Sequence, residues 1–344
     1  MAVDIEEQPE LYARLTEPRH TDAIVAVAAR VAAWRPRHVV FAARGSSAHA
    51  AGYGAYLAET RLGLPAGLAS PSTVTLFRAR PDLSQALVLG ISQSGRSTDL
   101  VEVLSAARGR GALTVAITNT PNSPLAQVAE LTIDVAAGAE RAVAATKSYT
   151  AELLALLLLI EGVRAGDGRL PAQERTTLAV LPELAALTLA DPTASELADR
   201  YRFAARLVTT GRGYGYPTAR EAALKLMETS YLAALAFSGA DLLHGPLAMT
   251  DPDVPVLAVV GDGPGGQAMR QVLARLGERR ADVVVIGPSA VPGAAAQVRV
   301  PSLDERHAPL LDILPLQQLA LSLALARGEN PDAPRGLCKV TDTR

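Results

Sequence analysis

The sequence contains two copies of one pattern of apolar segments, and this repeat restricts the fold more than any other feature. The segments of the first copy are His38–Ala42, Ala86–Ile91, Leu113–Ile117 and Leu131–Val135. Those of the second copy are Arg206–Thr210, Pro255–Val260, Asp282–Ile286 and Gln297–Val300, each 166 to 169 residues after its counterpart. Helical stretches alternate with these β-rich runs, which is typical of a parallel sheet flanked by helices. The repeat therefore predicts an α/β fold with two tandem domains.

The offsets also predict where the domains begin and end. We expect a lead-in over residues 1–24, a first domain over 25–165, a helical connector over 166–194, a second domain over 195–330 and a C-terminal segment over 331–344. The two copies differ in chemistry, because only the first has small hydroxyl residues after its strands. This difference predicts one ligand site per chain, mostly in the first copy.

Composition excludes several classes of function. The net charge of −2 gives no overall attraction to nucleic acid or to an anionic membrane. The single cysteine, Cys338, permits no intrachain disulfide. The longest apolar run, Leu153 to Ile160, is too short to cross a bilayer, and the acidic N-terminus does not resemble a signal peptide. We therefore expect a cytoplasmic protein that binds neither nucleic acid nor a membrane.

Two serine-rich loops directly follow strands of the first copy. They are Arg44-Gly-Ser-Ser-Ala-His49 and Ser92-Gln-Ser-Gly-Arg-Ser-Thr98. In an open α/β sheet, ligands bind beyond the carboxyl ends of the strands, and the amides at a helix N-terminus favour an anion. Serine and threonine hydroxyls can donate hydrogen bonds to the same anion. The candidate phosphate-binding residues are Ser46, Ser47, Ser92, Gln93, Ser94, Ser97 and Thr98.

An alternative interpretation is that these serines only cap the helices that follow. Neither loop matches the glycine fingerprint for dinucleotides or the phosphate loop of nucleotide-binding proteins. The five histidines also lack the spacing to cysteine or carboxylates that is typical of metal sites. No cofactor and no metal is expected.

Lysine is rare in this chain, and its positions are informative. Only Lys147, Lys225 and Lys339 are lysines among 33 basic residues. Lysine differs from arginine because its amine can lose a proton and attack a carbonyl. Lys225 lies in a predicted helix with Glu221 and Glu228, at a spacing that places all three on one face. The alternatives are a solvated row of charges or a cluster that moves protons.

A histidine follows this helix in a glycine-proline turn. His244 is the first residue of His244-Gly-Pro246, and a carboxylate and an imidazole are the usual acid and base for proton transfer on a sugar. A structural role for His244 is the alternative.

Several segments in order along the chain resemble the isomerase half of the glutamine–fructose-6-phosphate aminotransferase family, which consists of tandem sugar-isomerase (SIS) domains. The segments are Ile91-Ser-Gln-Ser-Gly95, Ala144-Ala-Thr-Lys-Ser-Tyr-Thr150, Gly211-Arg-Gly-Tyr-Gly-Tyr-Pro217, Glu221-Ala-Ala-Leu-Lys-Leu-Met-Glu-Thr-Ser-Tyr231, His244-Gly-Pro-Leu-Ala248 and Pro334-Arg-Gly-Leu-Cys-Lys339. The resemblance implies that both domains are SIS domains and that a phosphosugar is the substrate.

The resemblance also implies residue roles. Glu228 would move a proton between sugar C1 and C2, and Lys225 would support the enediol. His244 would assist ring opening, reaching the site of a neighbouring subunit in a homodimer. Lys339 would form a Schiff base with a ketose. Ala145, Thr146 and Glu221 would line the substrate.

The chain departs from the family pattern at three points. It lacks the glutaminase domain, so we do not expect it to take ammonia from glutamine. Arg44 stands where the family has a cysteine, and Ala145 replaces a serine near the substrate. We therefore predict an aminosugar-6-phosphate isomerase/deaminase that converts glucosamine 6-phosphate to fructose 6-phosphate and ammonia. The alternatives are a sugar-phosphate dehydratase, a ketosamine-phosphate deglycase and a non-catalytic phosphosugar sensor.

Overall fold

The computed structural model describes residues 1–339, and the chain divides into two compact units. The N-terminal unit consists of Glu7–Glu140, Lys147–Pro182, Cys338 and Lys339. The C-terminal unit consists of Met1–Glu6, Arg141–Thr146 and Glu183–Leu337. Residues 340–344 of the predicted C-terminal segment lie outside the described part of the chain.

The structure alternates strands and helices along the chain. The strands β1 to β10 are His38–Ala43, Ala66–Leu68, Ala86–Ile91, Leu113–Thr118, Leu131–Asp134, Arg206–Gly211, Ala233–Ser238, Pro255–Val259, Asp282–Gly287 and Ala296–Arg299. The α-helices α1 to α14 are Ala2–Glu6, Gln8–Leu15, Pro18–Trp34, Gly45–Leu57, Pro71–Thr75, Thr98–Arg108, Pro124–Val128, Lys147–Ala165, Ala172–Ala190, Thr193–Tyr201, Gly215–Ser230, Gly239–Leu243, Pro264–Glu278 and Pro309–Ala326. A π-helical turn, Ala58–Leu62, extends α4, and a 3₁₀ turn, Pro246–Met249, follows α12.

The N-terminal unit contains a five-stranded parallel sheet in the order β2-β1-β3-β4-β5. Strands β3 and β4 are buried along their whole length and are largely apolar, as expected where helices cover both faces of a parallel sheet. Strand β2 is added on one side of β1, and β3 and the later strands are added on the other side. The strand order therefore reverses between β1 and β3, which are hydrogen-bonded parallel neighbours. Such a switch point opens a crevice at the carboxyl ends of the strands.

The C-terminal unit repeats this arrangement. Its parallel sheet has the order β10-β9-β8-β6-β7, which is the same winding with five strands added to each number. Its switch point lies between β6 and β8. One of its core clusters packs α13 against the sheet through Met269, Val272 and Leu276. The predicted α/β fold with two tandem domains is confirmed.

Each sheet has one strand that the apolar segments did not reveal. These strands, β2 and β7, lie at an edge of their sheets. Strand β2 has only three residues, and β7 is partly exposed. Strand β2 is too short to stand out in the sequence, and β7 is rich in alanine and has no β-branched residue, so its composition is not typical of a strand.

Within residues 1–339, one helix, α14, is long and apolar enough to cross a membrane by length and composition alone. It has 18 residues and a mean hydropathy of 1.4, but 72% of it is buried within the protein. It packs against α10 and α11 of the same unit. A buried core helix can have the same length and composition.

Candidate active site

The two serine loops emerge side by side in the N-terminal unit. The first connects β1 to α4, and the second connects β3 to α6. Since β1 and β3 are paired from His38 opposite Ala86 to Ala43 opposite Ile91, the two loops leave the same edge of the sheet at its switch point. This is the position at which open α/β sheets bind ligands.

Neither of the helices that these loops begin is capped by the side chain of its N-cap residue. The N-cap residues are Arg44 for α4 and Ser97 for α6, and neither makes a side-chain capping bond. Elsewhere the chain does use serine caps: Ser123 accepts the amide of Ala126, and Ser238 that of Asp241. Capping by the N-cap side chain therefore does not explain the serines of the two loops.

In the second loop, the hydroxyls of Ser92 and Ser94 accept hydrogen bonds from backbone amides and can still donate their own protons to a ligand. Ser92 Oγ accepts the amide of Gly95 at 3.2 Å, and Ser94 Oγ accepts the amide of Arg96 at 3.3 Å. A hydroxyl that accepts a hydrogen bond can still donate its own proton to an anion. The turn requires glycine, since Gly95 has a φ of +60° and a Cβ there would lie 2.0 Å from the Oγ of Ser123.

The first loop differs at Ser47. This residue is buried, and its hydroxyl donates to the buried Glu152 Oε1 at 2.8 Å. Its single proton is therefore used within the protein. Ser46 lies beside it in the first turn of α4 and is half-buried. In the second loop, Ser97 and Gln93 are also half-buried and Thr98 is exposed.

Lys339 contacts a buried carboxylate of the N-terminal unit. Its Nζ lies 3.2 Å from Glu140 Oε2, and the side chain of Glu140 has no exposed surface. Ser148, in the first turn of α8, donates to the same carboxylate through its hydroxyl at 2.6 Å and its amide at 3.1 Å. Glu140 thus attaches the C-terminal segment to the start of α8. It was not predicted, because nothing in the sequence near Glu140 indicates its contact with a residue 199 positions away.

The charged cluster on α11 forms in the C-terminal unit as its spacing indicates. Lys225 Nζ lies 3.3 Å from Glu221 Oε1 and 2.5 Å from Glu228 Oε2. Lys225 and Glu221 are fully buried, whereas 22% of the Glu228 side chain is exposed. The helix therefore leaves one carboxylate partly exposed, with a buried ammonium and a buried second carboxylate next to it. A row of solvated charges is excluded.

The remaining predicted site residues of the C-terminal unit differ in exposure. His244 caps the C-terminus of α12 and is exposed, and its imidazole makes no hydrogen bond within residues 1–339. Thr146 is buried, with its carbonyl accepting from Gln317 Nε2 at 3.3 Å, and Ala145 is half-buried.

The C-terminal unit has a carboxylate where the second serine loop stands in the N-terminal unit. Helix α13 follows β8 as α6 follows β3. The carboxylate of Glu305 accepts the amides of Gly265 at 3.1 Å and Gly266 at 2.9 Å at the start of α13. An internal anion therefore already occupies this helix N-terminus. Among residues 1–339 there is no cluster of three or more histidine, cysteine or acidic side chains that could hold a metal ion.

Comparison with known proteins identifies the family. The SIS domain model matches residues 34–162 and 201–327, which together make up most of the chain. The chain belongs to the SIS domain family. The predicted tandem SIS organisation and membership among SIS-family enzymes are thereby confirmed.

Individual SIS proteins match almost the whole chain. The glutamine–fructose-6-phosphate aminotransferase of Gloeobacter violaceus is 36% identical over 86% of this chain and 50% of its own length. A crystal structure from Silicibacter pomeroyi, provisionally named a phosphosugar isomerase, has a TM-score of 0.85 with 33% identity, covering 96% of this chain and 98% of that one. The C-terminal domain of the Francisella tularensis glucosamine–fructose-6-phosphate aminotransferase has a TM-score of 0.82 with 25% identity, over 96% and 97% of the two chains. The chain spans about half the length of the curated relatives it matches.

Proposed function

We propose that the protein is a phosphosugar isomerase that acts as a deaminase on an aminosugar 6-phosphate such as glucosamine 6-phosphate. The observation that carries this proposal is the α11 cluster, in which Glu228 is the exposed member of a buried ion pair. A carboxylate placed in this way can accept a proton from carbon, while the adjacent ammonium of Lys225 balances the negative charge that develops.

The serine loops supply the binding part of the proposal. The hydroxyls of Ser92 and Ser94 and the start of α6, whose N-cap residue makes no side-chain capping bond, suit the terminal phosphate of the sugar. Ser97, whose hydroxyl makes no capping bond, is a third donor. Ser47 supports the loop through Glu152 and contributes less to the phosphate.

The proposed reaction proceeds from the open-chain aldose. Glu228 removes the proton from C2, and the electron pair moves to form an enolamine whose oxygen is on C1. Glu228 then returns the proton to C1, leaving an iminium at C2. Water adds to C2 and ammonia leaves, so that glucosamine 6-phosphate and water give fructose 6-phosphate and ammonia.

Lys339 and His244 have supporting roles in this scheme. The amine of Lys339 can replace the amino group at C2 as a Schiff base, which then releases the ketose by hydrolysis. His244, exposed and without a side-chain hydrogen bond in the described chain, is assigned to ring opening on the substrate of a second copy in a homodimer.

The test is incubation of purified protein with glucosamine 6-phosphate and analysis of products by mass spectrometry and an ammonia assay. We expect equal amounts of ammonia and fructose 6-phosphate, and loss of both in Glu228→Gln. Glu196→Gln, which changes an exposed glutamate of α10, is the control and should remain active. Loss of water would instead indicate a dehydratase, and release of an amino acid from a ketosamine phosphate a deglycase. Phosphosugar binding without any product would leave only a sensor.

A further inference from the structure

An ion pair joins the two serine loops of the N-terminal unit. Arg44 is the N-cap residue of α4, and Asp99 lies in the first turn of α6. The guanidinium Nε and Nη2 of Arg44 each lie 2.8 Å from Asp99 Oδ2. The other carboxylate oxygen, Oδ1, accepts the amide of Leu100 at 2.8 Å. The pair therefore connects the helix start after β1 to the helix start after β3.

The two partners differ in exposure. The side chain of Asp99 is 3% exposed, whereas that of Arg44 is 51% exposed. Asp99 accepts two hydrogen bonds, from Arg44 Nε and from the amide of Leu100, and Nη2 of the guanidinium forms an ion pair with the same oxygen as Nε. Contacts on both carboxylate oxygens hold the buried side chain of Asp99 in one position, and contacts through two nitrogens fix the direction of the guanidinium as well as its distance. Asp99, directly after the second loop, therefore holds Arg44, the N-cap residue of α4, in a fixed position.

We propose that Arg44 and Asp99 are positioning residues that fix the spacing of the two phosphate-binding loops. The inference rests on the proposed phosphate site but not on the reaction that follows binding. A phosphate held by the amides at the start of α4 and by the donors of the second loop is bound tightly only if both sets of donors are already in place, because ordering a loop on binding subtracts from the affinity. The pair carries out this ordering before the ligand arrives.

The competing explanation is that Arg44 only adds positive charge near an anion. Arg96 in the second loop provides a matched control, since its side chain is exposed and makes no hydrogen bond or ion pair in the described chain. Arg96→Ala removes one charge and leaves the ion pair intact. Arg44→Lys keeps the charge but loses the contact through two nitrogens.

Asp99→Asn separates the two explanations by the sign of its effect. Removing a negative charge beside an anion site strengthens anion binding if charge alone matters. If the ion pair positions the loops, the same change weakens anion binding. The asparagine side chain has only one acceptor oxygen, so it cannot replace both carboxylate oxygens, one of which contacts Arg44 and the other the amide of Leu100.

The experiment is calorimetric titration of the full chain and its variants with inorganic phosphate and with fructose 6-phosphate, alongside thermal melting to verify folding. We expect Arg44→Lys and Asp99→Asn to lower the affinity for both ligands by about tenfold or more. Arg96→Ala should lower it by less than about fivefold, because an exposed charge contributes little. Unchanged binding in Arg44→Lys, or tighter binding in Asp99→Asn, overturns the proposal.

Three further outcomes complete the design, and the last two keep this test separate from the test of function. If Arg44→Lys does not fold, the direction of the change in Asp99→Asn alone decides. A wild-type chain that binds phosphate but releases no ammonia disproves the deaminase and leaves the positioning role to be decided by the variants. A wild-type chain that binds neither ligand overturns both proposals.

Discussion

The ammonium of Lys225 lies 2.5 Å from the carboxylate of Glu228, and Lys225 is fully buried whereas 22% of the Glu228 side chain is exposed. The ammonium is also the neighbour of the fully buried Glu221. Two buried or partly buried carboxylates next to one buried lysine need its positive charge as their counter-charge. In this arrangement one lysine provides the counter-charge for both carboxylates of α11.

Removing the lysine should destabilise the C-terminal unit strongly. In Lys225→Met, Glu221 would be left buried beside a second carboxylate with no cation between them. We expect a loss of about 3–5 kcal/mol in the free energy of unfolding, measured by denaturant titration at neutral pH. The double variant Glu221→Gln/Lys225→Met should recover part of this loss. A loss below about 1 kcal/mol in the single variant contradicts the assignment of a buried ion pair.

Glu140 should control the reactivity of Lys339. The carboxylate holds the Lys339 ammonium at 3.2 Å from a position fixed by Ser148. Lys339 and fructose 6-phosphate would form a Schiff base with loss of water, and sodium borohydride reduces it to a stable adduct. We expect Glu140→Gln to lower the yield of this adduct, because the lysine is no longer held in place. Mass spectrometry of the reduced protein measures the adduct.

Ser148→Ala is the control for this prediction. It removes the serine hydroxyl from Glu140 but keeps the carboxylate beside Lys339. Its adduct yield should lie closer to wild type than that of Glu140→Gln. Equal yields in all three proteins would show that Glu140 has no role in positioning the lysine.

Gly95 should be more sensitive to substitution than its backbone angle alone requires. Alanine at a positive φ costs about 1–2 kcal/mol, and the contact with Ser123 adds a steric cost of about 1–3 kcal/mol. Gly138 is the matched control, with a φ of +70° and nothing within 4 Å of a Cβ. We expect Gly95→Ala to be clearly less stable than Gly138→Ala in thermal melting and to lose phosphate binding in titration. Equal stabilities would contradict the close packing of the second loop.

The sequence was sufficient to predict the paired sheets, because a buried parallel strand such as β3 is apolar throughout. It was not sufficient for β7, whose Ala233–Ser238 segment lies at an exposed edge and continues an alanine-rich helical pattern. The loop serines were found because they directly follow apolar runs. Their individual hydrogen bonds were not, since Ser47 donates to a glutamate 105 residues away. The contact between Arg44 and Asp99 was missed for the same reason.

A buried acid should make the stability of the C-terminal unit depend on pH. Asp312 in the first turn of α14 is completely buried, and burial, together with the negative charge of Glu305, raises its pKa to about 8. In the unfolded chain an aspartate ionises near pH 4. Between these values the folded state holds a proton that the unfolded state has lost, so the free energy of unfolding falls as pH rises, by up to about 1.4 kcal/mol per pH unit, and levels off above pH 8. Asp312→Asn matches the shape of the protonated acid and has no such proton. Denaturant titrations at pH 5, 6, 7 and 8 should therefore show a smaller fall in stability for Asp312→Asn than for wild type, and parallel curves would show that Asp312 is ionised in the folded protein.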